Sequence, residues 1–276
     1  MGMRISTNVA ALNAQRMMVM SQREIQKSMA QLSSGSRITK SADDAAGLAI
    51  SENLKSQIRS ISQASRNAND GISFVQVAEG GLNEISNILT RMRELGIQAA
   101  SDTVGEVERG FLNNEVQQIK DEMQRIAVTT RFGNVKLIDG SADKFDFQVG
   151  INNTQNEDRI TYNAGATNAT VDALGVSDFD FSSREGAQES LNVIDRAQTT
   201  VNGFRSSLGA LQNRLQSTAD NLGVAHENLS AANARIRDTD VALASAELVR
   251  NNILLQTNAA TMAQANQTPQ IAMKLI

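Results

Sequence analysis

The sequence predicts a mainly α fold: a long antiparallel helical rod or coiled coil with paired terminal helices and a small β-hairpin region at the far tip. Its 276 residues include one proline, no tryptophan and 3% aromatic residues, whereas compact α/β enzymes build much of their core from aromatic side chains. Apolar residues also recur at alternating steps of three and four, the spacing of a coiled coil. Because proline interrupts none of these stretches, we expect helices longer than a compact domain needs.

One long predicted helix runs from Arg184 to about Asp238, and its apolar residues form one narrow seam. A single helix cannot bury such a seam, so a partner is required. A second predicted helix, from Asp44 to about Ala100 with a local break near Gly80 and Gly81, supplies it. Each helix would contain about 55 residues and extend about 80 Å. The two seams consist of Leu208, Leu211, Leu215, Thr218, Leu222, Ala225, Leu229, Ala232 and Ile236, and of Leu82, Ile85, Leu89, Met92, Gly96 and Ala99.

Shorter helices are predicted at the two ends of the chain and after the second long helix. The N-terminal helix runs from Met3 to Leu32 and ends at Gly35 in a left-handed conformation. The C-terminal helix begins at Val241, so that the chain folds back and its termini end together. A third seam runs from Leu112 to Ile126. Capping pairs are predicted at Ser41 with Asp44, Thr103 with Glu106, and Ser182 with Glu185.

Between Thr130 and Ser183 the helical pattern gives way to short alternating runs separated by glycines. Phe145 to Val149 and Arg159 to Tyr162 predict strands, and Asp139 with Gly140 predicts a hairpin turn. We expect a small β subdomain or an exposed loop of about 50 residues, longer than ordinary connections.

Composition limits the classes of function. The absence of cysteine excludes disulfides, thiolate catalysis and cysteine-bound metals. A formal charge of −4 argues against nucleic-acid binding, which needs a basic stripe. No stretch approaches the length of a membrane span, and the N-terminus lacks the apolar core of a signal peptide. We therefore expect no nucleic-acid partner, no membrane partner and no cleaved signal peptide.

Catalysis is not predicted either. His226 is the only histidine, and we interpret it as a solvated helix residue because no cysteine or second histidine completes a site with it. Asp43 and Asp44 precede a helix, where carboxylates favour free amides over acid and base chemistry. A hydrolase on a helical scaffold would need clustered acid, base and nucleophile groups that the sequence lacks. We expect no enzymatic activity, no cofactor and no metal.

The C-terminal helix differs from an ordinary solvated helix in its lack of charge. Lys274 is the only charged residue from Asn251 to Ile276. One interpretation is a frayed tail. The other is a helix surrounded by protein, buried between subunits and ordered only on assembly. For this second case we predict self-assembly through apolar residues of both terminal helices: Leu12, Val19, Ile25, Leu32, Leu248, Leu255, Met262 and Leu275.

Four segments resemble signatures of the bacterial flagellin family, and they occur in the expected order at the two ends of the chain. They are Leu32 to Ile50 (LSSGSRI, then DDAAGLAI), Gln63 to Ser73 (QASRNANDGIS), Arg91 to Gln98 (RMRELGIQ) and Met262 to Gln270 (MAQANQTPQ). The short central region indicates that the large outer variable domains of many flagellins are absent. Phe132 to Asn134 (FGN) departs from the Phe-Asn-Gly frequent in the family.

The resemblance implies a structural subunit that polymerises into the flagellar filament outside the cell. Its paired terminal helices would form an inner tube, and the longer helices a surrounding layer of rods. The corresponding segments are 1–40 (inner-tube helix and connector), 41–183 (N-terminal rod helices and β-hairpin region), 184–240 (C-terminal rod helix) and 241–276 (C-terminal inner-tube helix).

The resemblance also implies partners. Besides further copies of the chain, these are an export chaperone, and the cap and hook-junction proteins. A host innate immune receptor is a further implied partner, and the residues that match its contacts are Arg91, Leu95 and Glu115, on a surface that also packs neighbouring subunits. The alternative function is a helical hook-junction or needle-tip component of a type III export apparatus, which would form a limited ring or cap.

Overall fold

The computed structural model describes residues 7–155 and 157–273, with side chains up to Gln267. Five helices make up most of it: α1 (Val9–Ser34), α2 (Ala45–Ala99), α3 (Glu106–Thr129), α4 (Arg184–Arg237) and α5 (Val241–Met273). Two antiparallel hairpins lie between α3 and α4 in the chain: β1 (Arg131–Phe132) with β2 (Val135–Lys136), and β3 (Lys144–Gln148) with β4 (Arg159–Asn163). The predicted fold class, mainly α with long helices and small β hairpins, is confirmed.

The described residues form two compact units. The terminal unit comprises residues from the ranges 1–58 and 227–276, and the central unit comprises residues 59–226. Helices α2 and α4 contribute residues to both units. The four segments predicted from the sequence remain predictions.

Several helices begin at a residue whose side chain accepts a hydrogen bond from a free backbone N–H group of the first turn. Asn8 Oδ1 accepts a hydrogen bond from the Ala11 N–H at 3.1 Å, and Asp44 Oδ1 accepts one from the Gly47 N–H at 2.8 Å. Gly35 ends α1 with φ of +67°, as predicted, because this left-handed conformation suits glycine.

Two predicted capping pairs are wrong. Helix α3 begins after Gly105, and Thr103 instead donates its backbone N–H to Ser101 Oγ in the preceding turn at 3.3 Å. At α4 the cap is Ser183, which accepts from the Gly186 N–H at 3.1 Å, one residue later than predicted. Adjacent serines offer the same capping chemistry, so the pattern cannot choose between them.

The predicted local break in α2 is also wrong, because the helix continues through both glycines. A Cβ at Gly81 would lie 2.6 Å from Thr130 Oγ1, so glycine here allows close packing rather than a bend. The hairpin turn predicted at Asp139 and Gly140 is wrong too. Asp139 pairs with Asn168 in an isolated bridge, and the turn between β1 and β2 contains Gly133, with φ of +60°.

The core of the central unit lies where α2, α3 and α4 present their seams. The predicted seam residues of α2 are buried, as are the first three of α4, and α3 contributes Val116 and Met123. Each fully buried aliphatic side chain stabilises the fold by roughly 1.5–3 kcal/mol. The members with no exposed surface include Leu82, Ile85, Leu89, Met92, Val116, Met123, Ile194, Val201, Leu208 and Leu215.

Most of the few aromatic side chains gather where the hairpins pack on α2. Phe74 of α2 lies at the centre, and its ring contacts four others edge-on or tilted, at centroid distances from 4.7 to 6.1 Å. Such pairs add to area burial because ring edges meet ring faces. The four rings belong to Phe132, Phe145, Phe147 and Tyr162.

Polar side chains of α3 hold the turn-rich segment that precedes α4. They bond to backbone groups of that segment, so they fix its path without depending on its side chains. The four pairs are Asn113 with Phe181, Gln117 with Phe179, Lys120 with Ser177 and Gln124 with Val171.

We predict that Leu89→Ala destabilises the chain by about 2–5 kcal/mol, because it leaves a cavity in the core of the central unit. Urea unfolding followed by circular dichroism measures this change. Ile97→Ala is the matched control, since Ile97 lies on the same helix and is 51% exposed. A loss of stability at Leu89 no larger than at Ile97 would contradict the described core.

Candidate assembly surface

Helices α1 and α5 pack antiparallel within the terminal unit. At one end Asn8 Nδ2 donates to the Ala265 carbonyl at 2.9 Å. At the other end the Thr239 N–H donates to the Gly35 carbonyl at 3.0 Å. Because both helices rise by about 1.5 Å per residue, these end contacts set one register along the whole pair.

The face that α1 and α5 share, here called the terminal seam, is poor in large apolar groups. On α1 its buried residues are Ala14, Ser21, Ser28 and Gln31, and on α5 Ala244 is buried. Larger side chains alternate with them but are only half-buried. These are Met18, Ile25, Leu32, Leu248, Leu255 and Met262. The seam therefore buries little apolar surface to stabilise the pair.

The outward faces of the same two helices, by contrast, carry many large apolar residues. These residues are 43–62% exposed, so the outward faces are a candidate interaction surface. A shallow groove of about 560 Å³ on α5 lies among them, lined by residues that include Val249, Ile253 and Leu254. The outer apolar surface consists of Val9, Leu12, Met17, Val19, Met20, Met29, Val241, Leu243, Val249, Ile253 and Leu254.

The structure divides the predicted self-assembly residues between these two surfaces. Leu12 and Val19 lie on the outer apolar surface, 56% and 43% exposed. Ile25, Leu32, Leu248, Leu255 and Met262 are half-buried, at positions of the terminal seam. Leu275 lies outside the described residues. Sequence reasoning missed the other outer residues because it sought a single stripe on helices that are apolar on several sides.

Polar contacts close the end of the terminal unit where α2 and α4 meet. Ser51 Oγ donates to Asn233 Oδ1 at 2.8 Å, and Arg237 forms an ion pair with Glu52. Arg37 Nη2 donates to the Ile236 carbonyl at 2.7 Å. The first two contacts join α2 to α4, and the Arg37 bond joins the connector after α1 to the end of α4, just before α5 begins.

Asp43 stabilises the connector between α1 and α2 by accepting hydrogen bonds within it. Its Oδ2 accepts from the backbone N–H groups of Lys40 and Thr39, at 2.9 and 3.0 Å, and from the Thr39 hydroxyl at 2.9 Å. The Lys40 amide and then the two Thr39 donors hold the pKa of Asp43 below its usual value of 3.8, because they favour the charged form.

The three predicted receptor residues lie together in the central unit, although they differ in exposure. Arg91 Nη2 bonds to Glu115 Oε1 at 2.9 Å, and Arg91 Nη1 bonds to Glu94 Oε2 at 3.1 Å. The hydrogen bonds that Arg91 donates to Glu115 and then to Glu94 raise the pKa of Arg91, because they favour its charged form. Leu95 is 2% exposed, so its side chain is almost fully buried in the core of the central unit.

Within residues 7–155 and 157–273, no helix is long and apolar enough to cross a membrane. The same described part of the chain contains no group of three or more histidine, cysteine, aspartate or glutamate residues that could hold a metal ion.

Two parts of the chain match known protein families. Residues 5–143 match the family described as bacterial flagellin N-terminal helical region, and residues 191–276 match the bacterial flagellin C-terminal helical region. The chain belongs to the bacterial flagellin family. The flagellin of Halalkalibacterium halodurans is 44% identical over 274 residues, 99% of each chain. The flagellar filament core protein flaB2 of Brachyspira hyodysenteriae is 39% identical over 287 residues, again 99% of each.

Solved structures of related proteins agree with the helical fold. The crystal structure of Bacillus cereus flagellin aligns with a TM-score of 0.51 and 28% identity, over 57% of this chain and 88% of that one. A putative flagellar hook-associated protein from Vibrio parahaemolyticus aligns with a TM-score of 0.60 over 71% of this chain and 100% of that one. At 15% identity, the second likeness shows the fold alone.

We predict that the connector loosens in acid. Since the pKa of Asp43 is lower in the folded chain than in the unfolded one, its stabilising effect is complete above about pH 4 and is lost as the pH falls through the folded value. An NMR titration of the Asp43 carboxyl carbon measures this pKa. Thr39→Val should raise it, because one of the three donors is removed. An unchanged pKa in that variant would contradict the described hydrogen bonds.

Proposed function

We propose that the chain is a structural subunit that polymerises with copies of itself into the flagellar filament. The observation that carries this proposal is the exposure of eleven large apolar residues on the outward faces of α1 and α5, which the terminal seam between these helices does not bury. Membership of the flagellin family supports it, as do relatives named flagellin and flagellar filament core protein that match from end to end.

Burial of the outer apolar surface would supply the driving force for polymerisation. Each aliphatic side chain that becomes fully buried contributes roughly 1.5–3 kcal/mol, whereas association costs about 4–15 kcal/mol in lost freedom of motion. Several such residues must therefore be buried together. The sequence from Asn251 to Met273 contains no charged residue. Burying this part of α5 therefore does not incur the cost of burying an unpaired charge.

The proposed route to the filament is export followed by folding at the growing end. The chain contains no cysteine, so no disulfide must open before it passes unfolded through a narrow channel. An export chaperone would hold the terminal segments, and cap and hook-junction proteins would receive the subunit outside the cell. Small shifts of subunits along their long helices would provide alternative packings, and hence filament curvature.

A hook-junction or needle-tip component is the alternative. The hook-associated protein from Vibrio parahaemolyticus shares the fold, and a fold is compatible with several functions. The two proposals differ in the polymer formed: a filament subunit elongates with added protein, whereas a junction or tip protein stops at a ring or cap. Electron microscopy of assembled protein distinguishes these products.

We also propose that Arg91 and Glu115 contact a host innate immune receptor. Both side chains are about half exposed and paired with each other, so a receptor can compete for either one. Leu95 would act indirectly, by keeping α2 in place beneath them.

We expect the unmodified chain to elongate filament fragments, and Leu12→Glu with Val19→Glu to stop this elongation. A carboxylate at either position would have to be buried against a neighbouring copy. Seeded growth followed by light scattering measures the rate, and electron microscopy measures polymer length. The expected loss is at least about 100-fold, the equivalent of about 2.7 kcal/mol.

The matched control is Leu12→Met with Val19→Leu, which keeps both positions apolar and should elongate normally. Thermal unfolding checks that the central unit of each variant remains folded. If the unmodified chain formed only rings or caps, the alternative would replace the proposal. If the glutamate variant elongated normally, the outer apolar surface would have no role in assembly.

We predict that Arg91→Ala reduces activation of a receptor reporter cell line by roughly 10-fold, the effect of losing a hot spot of about 1–2 kcal/mol. Arg91→Ala should not alter the melting temperature, because an exposed ion pair contributes about 0–1 kcal/mol. Leu95→Ala should lower both activation and melting temperature. Full activation by the Arg91 variant would exclude this contact.

A further inference from the structure

The methionines of this chain are unevenly distributed and unequally exposed. Six of the ten lie within the first 29 residues. On α1, Met17, Met20 and Met29 are 46%, 54% and 57% exposed. In the central unit, Met92 and Met123 have no exposed surface. The exposed thioethers thus lie on the helix whose outer surface the proposed function buries.

Thioethers are the only side-chain sulfur in this protein, because cysteine is absent. Hydrogen peroxide oxidises a thioether directly: its O–O bond breaks, one oxygen forms a bond to sulfur, and the other leaves as water. The sulfur loses two electrons, which the peroxide oxygens gain. The reaction requires access of the oxidant to sulfur, so exposed methionines react before buried ones.

We propose that Met17, Met20 and Met29 are an oxidation site that controls whether a subunit can join the polymer. This inference rests on the proposed function. A sulfoxide oxygen is a strong hydrogen-bond acceptor, and burying it without a donor is unfavourable. Oxidised subunits would therefore add to the filament end slowly or not at all.

The three side chains lie on different sides of α1, so an incoming copy would contact at least one of them. At about 3.6 residues per turn, Met20 and Met29 project from opposite sides of α1, and Met17 lies near Met20. A neighbouring copy that packs against either side of α1 meets at least one sulfoxide. In the polymer the same burial would exclude peroxide, so oxidation would act on free subunits and spare those already assembled.

Methionine can also serve packing alone, because its flexible side chain fills irregular interfaces. Leucine separates the two roles, since it has a similar volume and apolar character but no sulfur. If methionine serves packing alone, leucine variants and the unmodified chain will respond to peroxide in the same way.

The experiment treats the purified chain with hydrogen peroxide, locates each added oxygen by peptide mass spectrometry, and measures seeded elongation. We expect Met17, Met20 and Met29 to gain oxygen before Met92 and Met123, and elongation to slow by about 10-fold or more. Methionine sulfoxide reductases should restore the rate. The triple variant Met17→Leu, Met20→Leu, Met29→Leu should elongate normally before and after peroxide. Met123→Leu, the control, should remain sensitive.

Two results would overturn the inference while leaving the proposed function intact. One is normal elongation by subunits oxidised at all three positions. The other is oxidation of preformed filaments at these positions as rapidly as of free subunits. Failure of the untreated chain to elongate would instead overturn the proposed function itself, so the two failures are distinguishable.

Discussion

The structure depends on one constraint: helices α1 and α5 cannot bury all of their large apolar residues against each other. The terminal seam between them contains Ser21, Ser28 and Gln31 beside half-buried residues such as Ile25 and Leu255, while eleven further large apolar residues face outward. A monomeric two-helix unit would keep such residues inside and leave mainly polar and charged ones outside. A pair arranged in this way is incomplete in a single copy and becomes complete when other copies cover its outer faces.

The central unit, in contrast, buries many of its large apolar residues within the chain. Its helices bury their seams within the chain, the hairpins pack their aromatic rings around Phe74, and α3 binds the backbone of the segment before α4. This unit therefore has its own sources of stability and does not depend on neighbours to fold. In the proposed function the chain consequently divides its work: residues 59–226 would provide a stable body, and the terminal unit would provide the surface for association.

The apolar pattern of the sequence differs between the two units. Steps of three and four identified the seams of α2 and α3 and the buried first part of the α4 seam, because burial within one chain leaves a regular apolar pattern. The six predicted α4 seam residues from Thr218 to Ile236 are only half-buried. At the terminal helices the pattern is less regular, since Ala14, Ser21 and Ser28 occupy seam positions there and do not stand out as apolar. Ile25 and Leu255, two of the predicted self-assembly residues, are half-buried at seam positions, and their role in assembly stays a prediction. The direction of an apolar side chain cannot be inferred when a helix is apolar on several sides.

Turns and caps were harder to predict because several residues share the same chemistry. Asp139 and Gly140 have a hairpin composition, yet the hairpin turn forms at Gly133, whose φ is equally positive. Which of the two turns joins paired strands is decided by the long-range bridge from Asp139 to Asn168, and local sequence carries no information about that contact. The same reasoning applies to the outer apolar surface. Under the proposed function its partners lie beyond the single chain, so the sequence would record them as missing charge on α5 and as exposed apolar residues, rather than as a pattern of contacts.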